Sequence, residues 1–465
     1  MSSLSDSWAV DLAAAPLPKS EEEVKTWLKR YRIDEVECLM SDIAGIARGK
    51  AMPAKKFADL KPSYLANSIF YQSITGDYVE IEGMENQWME KDIMLVPDLA
   101  TMRPLPWAKE PTVQVIHDLE LLEGGPVETA PRNVLKRVLD LYAEQGWSAV
   151  VAPELEFYLT AMNKDPNDAL EAPIGRSGRQ SISRQAYSMS AVDEYETIVD
   201  DIYDFAEAQG LEIDTITQEG GAAQLEINLT HGDPIDLADQ VFFFKRLIRE
   251  AALRHNCYAT FMAKPMDEQP GSAMHLHHSV IATENGKNIF SNADGSETDL
   301  FRWFIGGQQH YAPAAMVFYA PYVNSYRRVA GGWSAPANVE WSNDNRTVGL
   351  RIPNSGPEAR RVENRVVGAD ANAYIALAAS LACGYMGMMN KIEPREECLI
   401  DASETPTTLP YSLQRAVEEF DKAPELHALL SDEFCKLYRA IKMHELEEFL
   451  SVVSPWEREH LLLTV

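Results

Sequence analysis

Apolar and polar residues alternate along "VVAPELEFYL" (150–159), which predicts a strand. Glu154 and Glu156 stand two apart within it, so both carboxylates leave the same face, roughly 6.5–7 Å apart. The pattern recurs three times. "QLEINL" (224–229) sets Gln224, Glu226 and Asn228 against Leu225, Ile227 and Leu229. "MHLHHSV" (274–280) sets His275 and His277 against Met274 and Leu276, and "RVENRVV" (361–367) puts Glu363 and Arg365 on one face. Glu219 precedes the second of these strands across "GGAA", where small residues permit close backbone approach.

Between these strands the period changes to that of a helix. "APRNVLKRVLDLYAEQGW" has Pro131 near its start and Gly146 just past its end. "SAVDEYETIVDDIYDFAEAQG" carries Tyr195, Ile198, Val199, Ile202 and Phe205 on one face, and predicts one continuous helix. "IDLADQVFFFKRLIREAALRHN" is a third helix, "CYATFMAKP" a further strand, and the pattern from about residue 410 onward is helical. Ahead of all this lies a smaller α+β unit: a helix in "EVKTWLKRYRI", strands in "EVECLMSD" and "PTVQVIHDLEL" (111–121), and a turn at "DIAGIARGK". The Pro-rich stretch "RPLPWAKEP" (103–111) marks the expected boundary, giving domains at 1–115 and 116–465.

A single strand of this kind could equally well turn its polar face to water. Four together demand more, because burying an unpaired carboxylate costs several kcal/mol. Five Glu and one His would make two three-ligand sites for hard divalent cations, which prefer oxygen.

Composition narrows the chemistry. The chain has 465 residues and a formal net charge of −29, which argues against nucleic-acid or anionic-membrane binding and suits cationic ligands. The longest apolar run (374–389) is rich in Ala and Gly and short for a bilayer, so it reads as a buried packing helix. No signal peptide is visible at the N-terminus. The 5 cysteines are far apart and fit neither a disulfide framework nor a Cys-x-x-Cys metal site, which points to the cytoplasm.

Residues 327–365 run against the acidic trend. Arg327, Arg328, Arg346, Arg351, Arg360, Arg361 and Arg365 face only Glu340, Asp344, Glu358 and Glu363, and there is no Lys. Surface ion pairs would use such a cluster, and so would bidentate binding of phosphate and carboxylate oxygens. "GIARGKA" (45–51) falls short of a P-loop, since three residues rather than four separate its glycines. A nucleotide would therefore bind through metals and arginines.

The segments "APELEFYL", "QEGGAAQLEINL", "TFMAKPMDEQPGSAMHLHHS", "NSYRRVAGGWSAP", "DNRTVGLRIP" and "EARRVENRVVGADANAY" resemble the glutamine synthetase family in order and spacing. The resemblance implies an α+β fold with an N-terminal β-grasp domain. It also implies a catalytic domain whose antiparallel strands form a metal-lined funnel surrounded by helices. A homo-oligomer of two hexameric rings, with sites shared between neighbours, would follow. One Mg²⁺ or Mn²⁺ would sit on Glu156, Glu219 and Glu226, another on Glu154, His275 and Glu363, with two to three ions per site. His277 and Ser279 would lie by ATP, and Arg346, Arg351 and Arg361 by its phosphates. Arg328 and Arg365, with the Gly271 backbone, would meet glutamate and the transferring phosphate. Arg328, Arg346, Arg365 and Glu226 would form the catalytic set, with Glu156 also beside the substrate.

Departures from the family pattern point to a larger nucleophile than ammonia. Tyr71, in "FYQSITGDY" (70–78), stands where the family has an Asp that binds ammonium, and Ser334 stands where a flap Glu closes that site. Pro270 replaces an Asn that contacts glutamate, and the adenylylation Tyr has no match in "EECLIDASETPTTLP". "VECLMSDIAGIARGKAMP", "PTVQVIHD" and "GRSGRQSISRQAYS" resemble the γ-glutamylpolyamine synthetase branch. Asp77, Glu80 and Glu82 are candidates to hold the distal ammonium of a diamine such as putrescine or to deprotonate the amine. Gly331 and Gly332 would hinge a mobile lid, with Trp333 to cover the site. The expectation is a cytoplasmic glutamate–amine ligase. Glutamine synthesis from ammonia, ligation of a small monoamine and a non-catalytic assembly are the alternatives.

Overall fold

Helix Glu21–Arg30 begins at Ser20, whose side chain accepts the Glu23 N–H, and it buries Val24, Trp27 and Leu28. It precedes the first of two sheets in a computed structural model that describes residue 12 and residues 16–84, 87–182, 184–330 and 335–465. That sheet contains β1 (Glu35–Ser41), β2 (Ala47–Pro53), β3 (Ser63–Ala66), β4 (Asp92–Pro97), β5 (Arg103–Pro104) and β6 (Thr112–Leu121). Their order is β2-β1-β6-β4-β3, with β5 on β6. Only β1 and β6 pair in parallel. The stretch expected to divide the chain lies inside this sheet. Pro104 sits in the short strand β5, and β6 runs unbroken through residues 115 and 116, still paired with β4 at Leu121.

The second sheet contains β7 (Trp147–Ala161), β8 (Ile213–Gln218), β9 (Gln224–Leu229), β10 (Cys257–Thr260), β11 (Met274–Ala282), β12 (Trp341–Asn343), β13 (Leu350–Ile352) and β14 (Val362–Asn364). The order is β12-β13-β14-β11-β7-β9-β8, with β10 on β7. The pairings are antiparallel except β12 with β13. Leu155, Phe157, Leu225, Ile227, Met274, Leu276 and Val362 are all buried. Helices Pro131–Glu144 and Pro234–Arg254 lie against β7.

The apolar run becomes helix Ala373–Asn390, long and apolar enough to cross a membrane by composition but 89% buried within the fold. It packs chiefly on helix Asp299–Tyr319. The single helix expected from residue 190 to 210 is instead two, Met189–Asp193 and Glu196–Gln209. Tyr195 interrupts it with φ −116°, ψ 24°, and its buried hydroxyl donates to the Pro173 carbonyl at 3.3 Å. Arg132, in helix Pro131–Glu144, links the first sheet to helix Pro234–Arg254. Its guanidinium meets Asp239 at 2.8 Å, Asp98 at 2.7 Å and Asp118 at 2.6 Å. Asp98 and Asp118 belong to the first sheet and its margin, Asp239 to helix Pro234–Arg254.

Candidate active site

Strand register brings the expected side chains together. Residues directly opposite in an antiparallel pair share a face. Glu154 pairs with His275, Glu156 with Glu226, and Glu363 with both His277 and Arg351. The result is one polar face across β13, β14, β11, β7 and β9.

That face is nearly closed to water: Glu363 is 0% exposed, Glu156 6%, His275 7% and Glu226 8%. Ligand atoms of Glu154, His275 and Glu363 lie within 4.8 Å of one another, and so do those of Glu156, Glu226 and His275. Glu219, expected beside Glu156 and Glu226, lines the same cavity but is not within either group, where His275 takes its place.

The carboxylates repel one another. Burial and then the charges of Glu154, Glu156, Glu219 and Glu363 push Glu226 up to about 10. Burial and then the Glu219 charge push Glu156 up to about 8, even though Glu156 accepts the Ala273 N–H at 2.8 Å. Burial and then the Arg365 charge drive His275 down to about 4, which leaves its imidazole neutral. Burial opposes ionisation of Glu154 as well, but hydrogen bonds with His275 (3.2 Å) and His277 (2.9 Å) hold it well below the usual carboxylate range. Oxygen donors under mutual repulsion, with a neutral imidazole among them, fit a hard divalent cation, which relieves the repulsion.

Glu154, Glu156, Glu219, Glu226 and His275 line a cavity of about 530 Å³ together with Gly271, Arg328, Arg346, Arg351 and Arg365. Arg351 donates to Glu363 at 2.8 Å, and Arg365 also pairs with Glu363. Arg328 is held by the carbonyls of Val366 (2.7 Å) and Arg365 (2.9 Å). A Cβ on Gly271 would come within 2.5 Å of the Arg328 side chain, so only glycine lets that arginine through. Gly221 is required for the same kind of reason: a Cβ there would lie 1.9 Å from the Tyr158 hydroxyl. That hydroxyl donates to the carbonyl of Pro270 at 2.8 Å, anchoring the loop that departs from the family pattern.

A second cavity, about 780 Å³, shares Glu154 and Asn228 with the first and is lined by His277, Ser279 and Arg361. The three arginines expected at phosphates therefore divide, Arg346 and Arg351 in the first cavity and Arg361 in the second. Arg361 donates to His277 Nδ1 at 3.2 Å, so Nε2 carries the proton given to Glu154. Ser279 donates to the Arg360 carbonyl at 3.1 Å. Arg360 itself is structural, bonded to the carbonyls of Phe290 and Gly295.

Tyr71 and Asp77 line neither cavity. Tyr71 is 5% exposed and accepts from Asn67 at 3.2 Å, while Asp77, Glu80 and Glu82 are exposed. Gly331, Gly332, Trp333 and Ser334 lie outside the described residues. The polar pattern alone does not single out Tyr187. It sits at the mouth of the first cavity with φ +64° and its side chain exposed. It lies in a polar loop without periodicity, where an aromatic residue gives no signal. Gln224, on the polar face of β9, donates to Glu156 at 3.1 Å and to the Gly271 carbonyl at 3.0 Å, tying the two strands to that loop.

The glutamine synthetase catalytic domain matches residues 128–461. Gamma-glutamylputrescine synthetase PuuA of Escherichia coli (strain K12) is 35% identical over 95% of this chain and 94% of its own. Glutamate–isopropylamine ligase of a Pseudomonas species is 32% identical over 94% and 96%. The solved structure of apo GmaS without ligand superposes with a TM-score of 0.81 at 25% identity, covering 94% of this chain and 99% of that one.

Proposed function

This chain belongs to the glutamine synthetase family, and we propose that it is an ATP-dependent ligase joining the γ-carboxylate of glutamate to an amine, with putrescine or another polyamine as the nucleophile. The observation that carries the reading is the convergence of Glu154, Glu156, Glu219 and Glu226 with Arg328, Arg346, Arg351 and Arg365 on one cavity, with the buried Glu363 paired to Arg351 and Arg365 beside it.

A carboxylate does not acylate an amine in water, because oxide is the leaving group. Transfer of the ATP γ-phosphoryl group to the glutamate γ-oxygen gives ADP and γ-glutamyl phosphate. The amine nitrogen then bonds the acyl carbon, inorganic phosphate leaves with the C–O electron pair, and a γ-glutamylamide remains. Both first reactants are anions, so Arg328 and Arg365 would bind glutamate and its transferring phosphoryl group, and Arg346, Arg351 and Arg361 the nucleotide phosphates. Glu154, Glu156, Glu219, Glu226, His275 and Glu363 would hold two to three Mg²⁺ or Mn²⁺, which neutralise phosphate charge. His277 and Ser279 would face the nucleotide in the second cavity.

An alkylammonium, with a pKa near ~10.4, must lose a proton before attack. Losing carboxylates at Tyr71 and Ser334 weakens a site for bare ammonium and admits a larger group. The ring of Tyr187 offers a π face to a cation at the cavity mouth. Asp77, Glu80 and Glu82 would serve the amine from a neighbouring copy, in a homo-oligomer of two hexameric rings with shared sites. Five free buried cysteines suit a reducing compartment, the cytoplasm.

Phosphate release with ammonia, methylamine, isopropylamine, putrescine and longer polyamines tests the reading. Putrescine or a longer polyamine should give the highest kcat/KM. Fastest turnover with ammonia would overturn the amine assignment in favour of glutamine synthesis.

A further inference from the structure

Lys442 and Glu445 form an ion pair inside the protein, 1% and 8% exposed, with nitrogen and oxygen 2.8 Å apart. Such a pair adds little net stability, because desolvating both charges offsets their attraction. Its geometry is more telling. Glu445 uses one oxygen for Lys442 and the other to accept the backbone N–H of Ile74 at 2.8 Å, reaching from helix Asp432–Ser451 to the first domain. One turn on, Glu448 accepts from the Thr75 hydroxyl at 3.0 Å. Lys442 in turn lies 4.3 Å from the ring centroid of Tyr322. The Tyr322 N–H donates to Ser325, which opens helix Ser325–Ala330, the element that carries Arg328.

Ile74 lies in the loop between Tyr71 and Asp77. A Gly76 N–H to Ser73 carbonyl bond of 3.0 Å closes the turn, and Gln72 bridges Tyr78. We propose that the Lys442–Glu445 pair is a positioning device: it fixes the nucleophile-side loop through the Ile74 N–H and ties it to the segment that leads into Arg328. This rests on the reading above that the loop serves the amine. Glu445 and Lys442 touch no reactant in this account and act through the loop.

Ile74 occupies the second position of its turn, where proline is favoured. Ile74→Pro therefore deletes the N–H that Glu445 accepts while keeping the turn. Ile74→Ala keeps the N–H and removes the side chain. KM is measured for whichever nucleophile the wild-type protein uses best, so a preference for ammonia overturns the amine assignment and leaves this test intact. Ile74→Pro should raise the nucleophile KM at least about tenfold, the equivalent of one hydrogen bond to a charged group, with KM for ATP nearly unchanged. Ile74→Ala should stay near wild type. Glu445→Ala should show the same KM rise, and Lys442→Met combined with Glu445→Gln should restore most of it, because the amide oxygen can still accept the N–H. An unchanged nucleophile KM in Ile74→Pro would overturn the proposal, and so would equal rises in the KM values for ATP and the nucleophile.

Discussion

Replacing Glu226 by alanine should lower amide-forming turnover by about 10²–10³-fold or more, the scale of losing a direct electrostatic contributor to the transition state. The same change should stabilise the metal-free protein. Glu226 at about 10 and Glu156 at about 8 bind protons more tightly folded than unfolded. Groups raised in this way contribute stability that is intact below the unfolded value of ~4.3 and is lost as pH rises through the folded values. Calorimetry in chelator should therefore show metal-free wild type losing stability between roughly pH 5 and 9, and Glu226→Ala losing less over the same window. Stability that rises across that window, or a variant with full turnover, would contradict the assignment.

Arg132→Met should destabilise the protein by about 3–5 kcal/mol, the cost of leaving buried charge without its partner. Asp239 is 3% exposed and, among the described residues, would keep one side-chain hydrogen bond, from the Tyr374 hydroxyl at 2.6 Å. Asp98 and Asp118 are more open to water, so the loss concentrates on Asp239 and on the contact between the first sheet and helix Pro234–Arg254. Adding Asp239→Asn should recover part of the stability, because no unpaired charge then remains buried. Denaturant midpoints of the single and double variants measure this. Equal midpoints for wild type and Arg132→Met would show that the three carboxylates are not energetically joined through this arginine.

The polar face was legible because period-two alternation fixes which side chains share a face, so Glu154 with Glu156 and His275 with His277 could be placed together before any pairing was known. Register then decides which neighbours meet, and alternation does not encode register between distant strands. The pairing of Glu156 with Glu226, and the placement of His275 between two carboxylate groups, therefore needed the fold. The helix interruption at Tyr195 was hidden because the apolar face continues across it. Prolines punctuate a chain without saying whether the same sheet resumes beyond them, as it does in β6. Tyr187 depends on loop geometry, and the distant partners of Ile74 and Arg132 depend on tertiary contact, so neither leaves a periodic trace.

The carboxylate-lined cavity is expected to bind divalent cations. Titration of metal-free wild-type protein with Mn²⁺, followed by electron paramagnetic resonance of the free ion, tests it most directly. At least two ions should be held per chain, with fewer in Glu226→Ala. A chain that takes up no Mn²⁺, or a variant that binds as many ions as wild type, would contradict it.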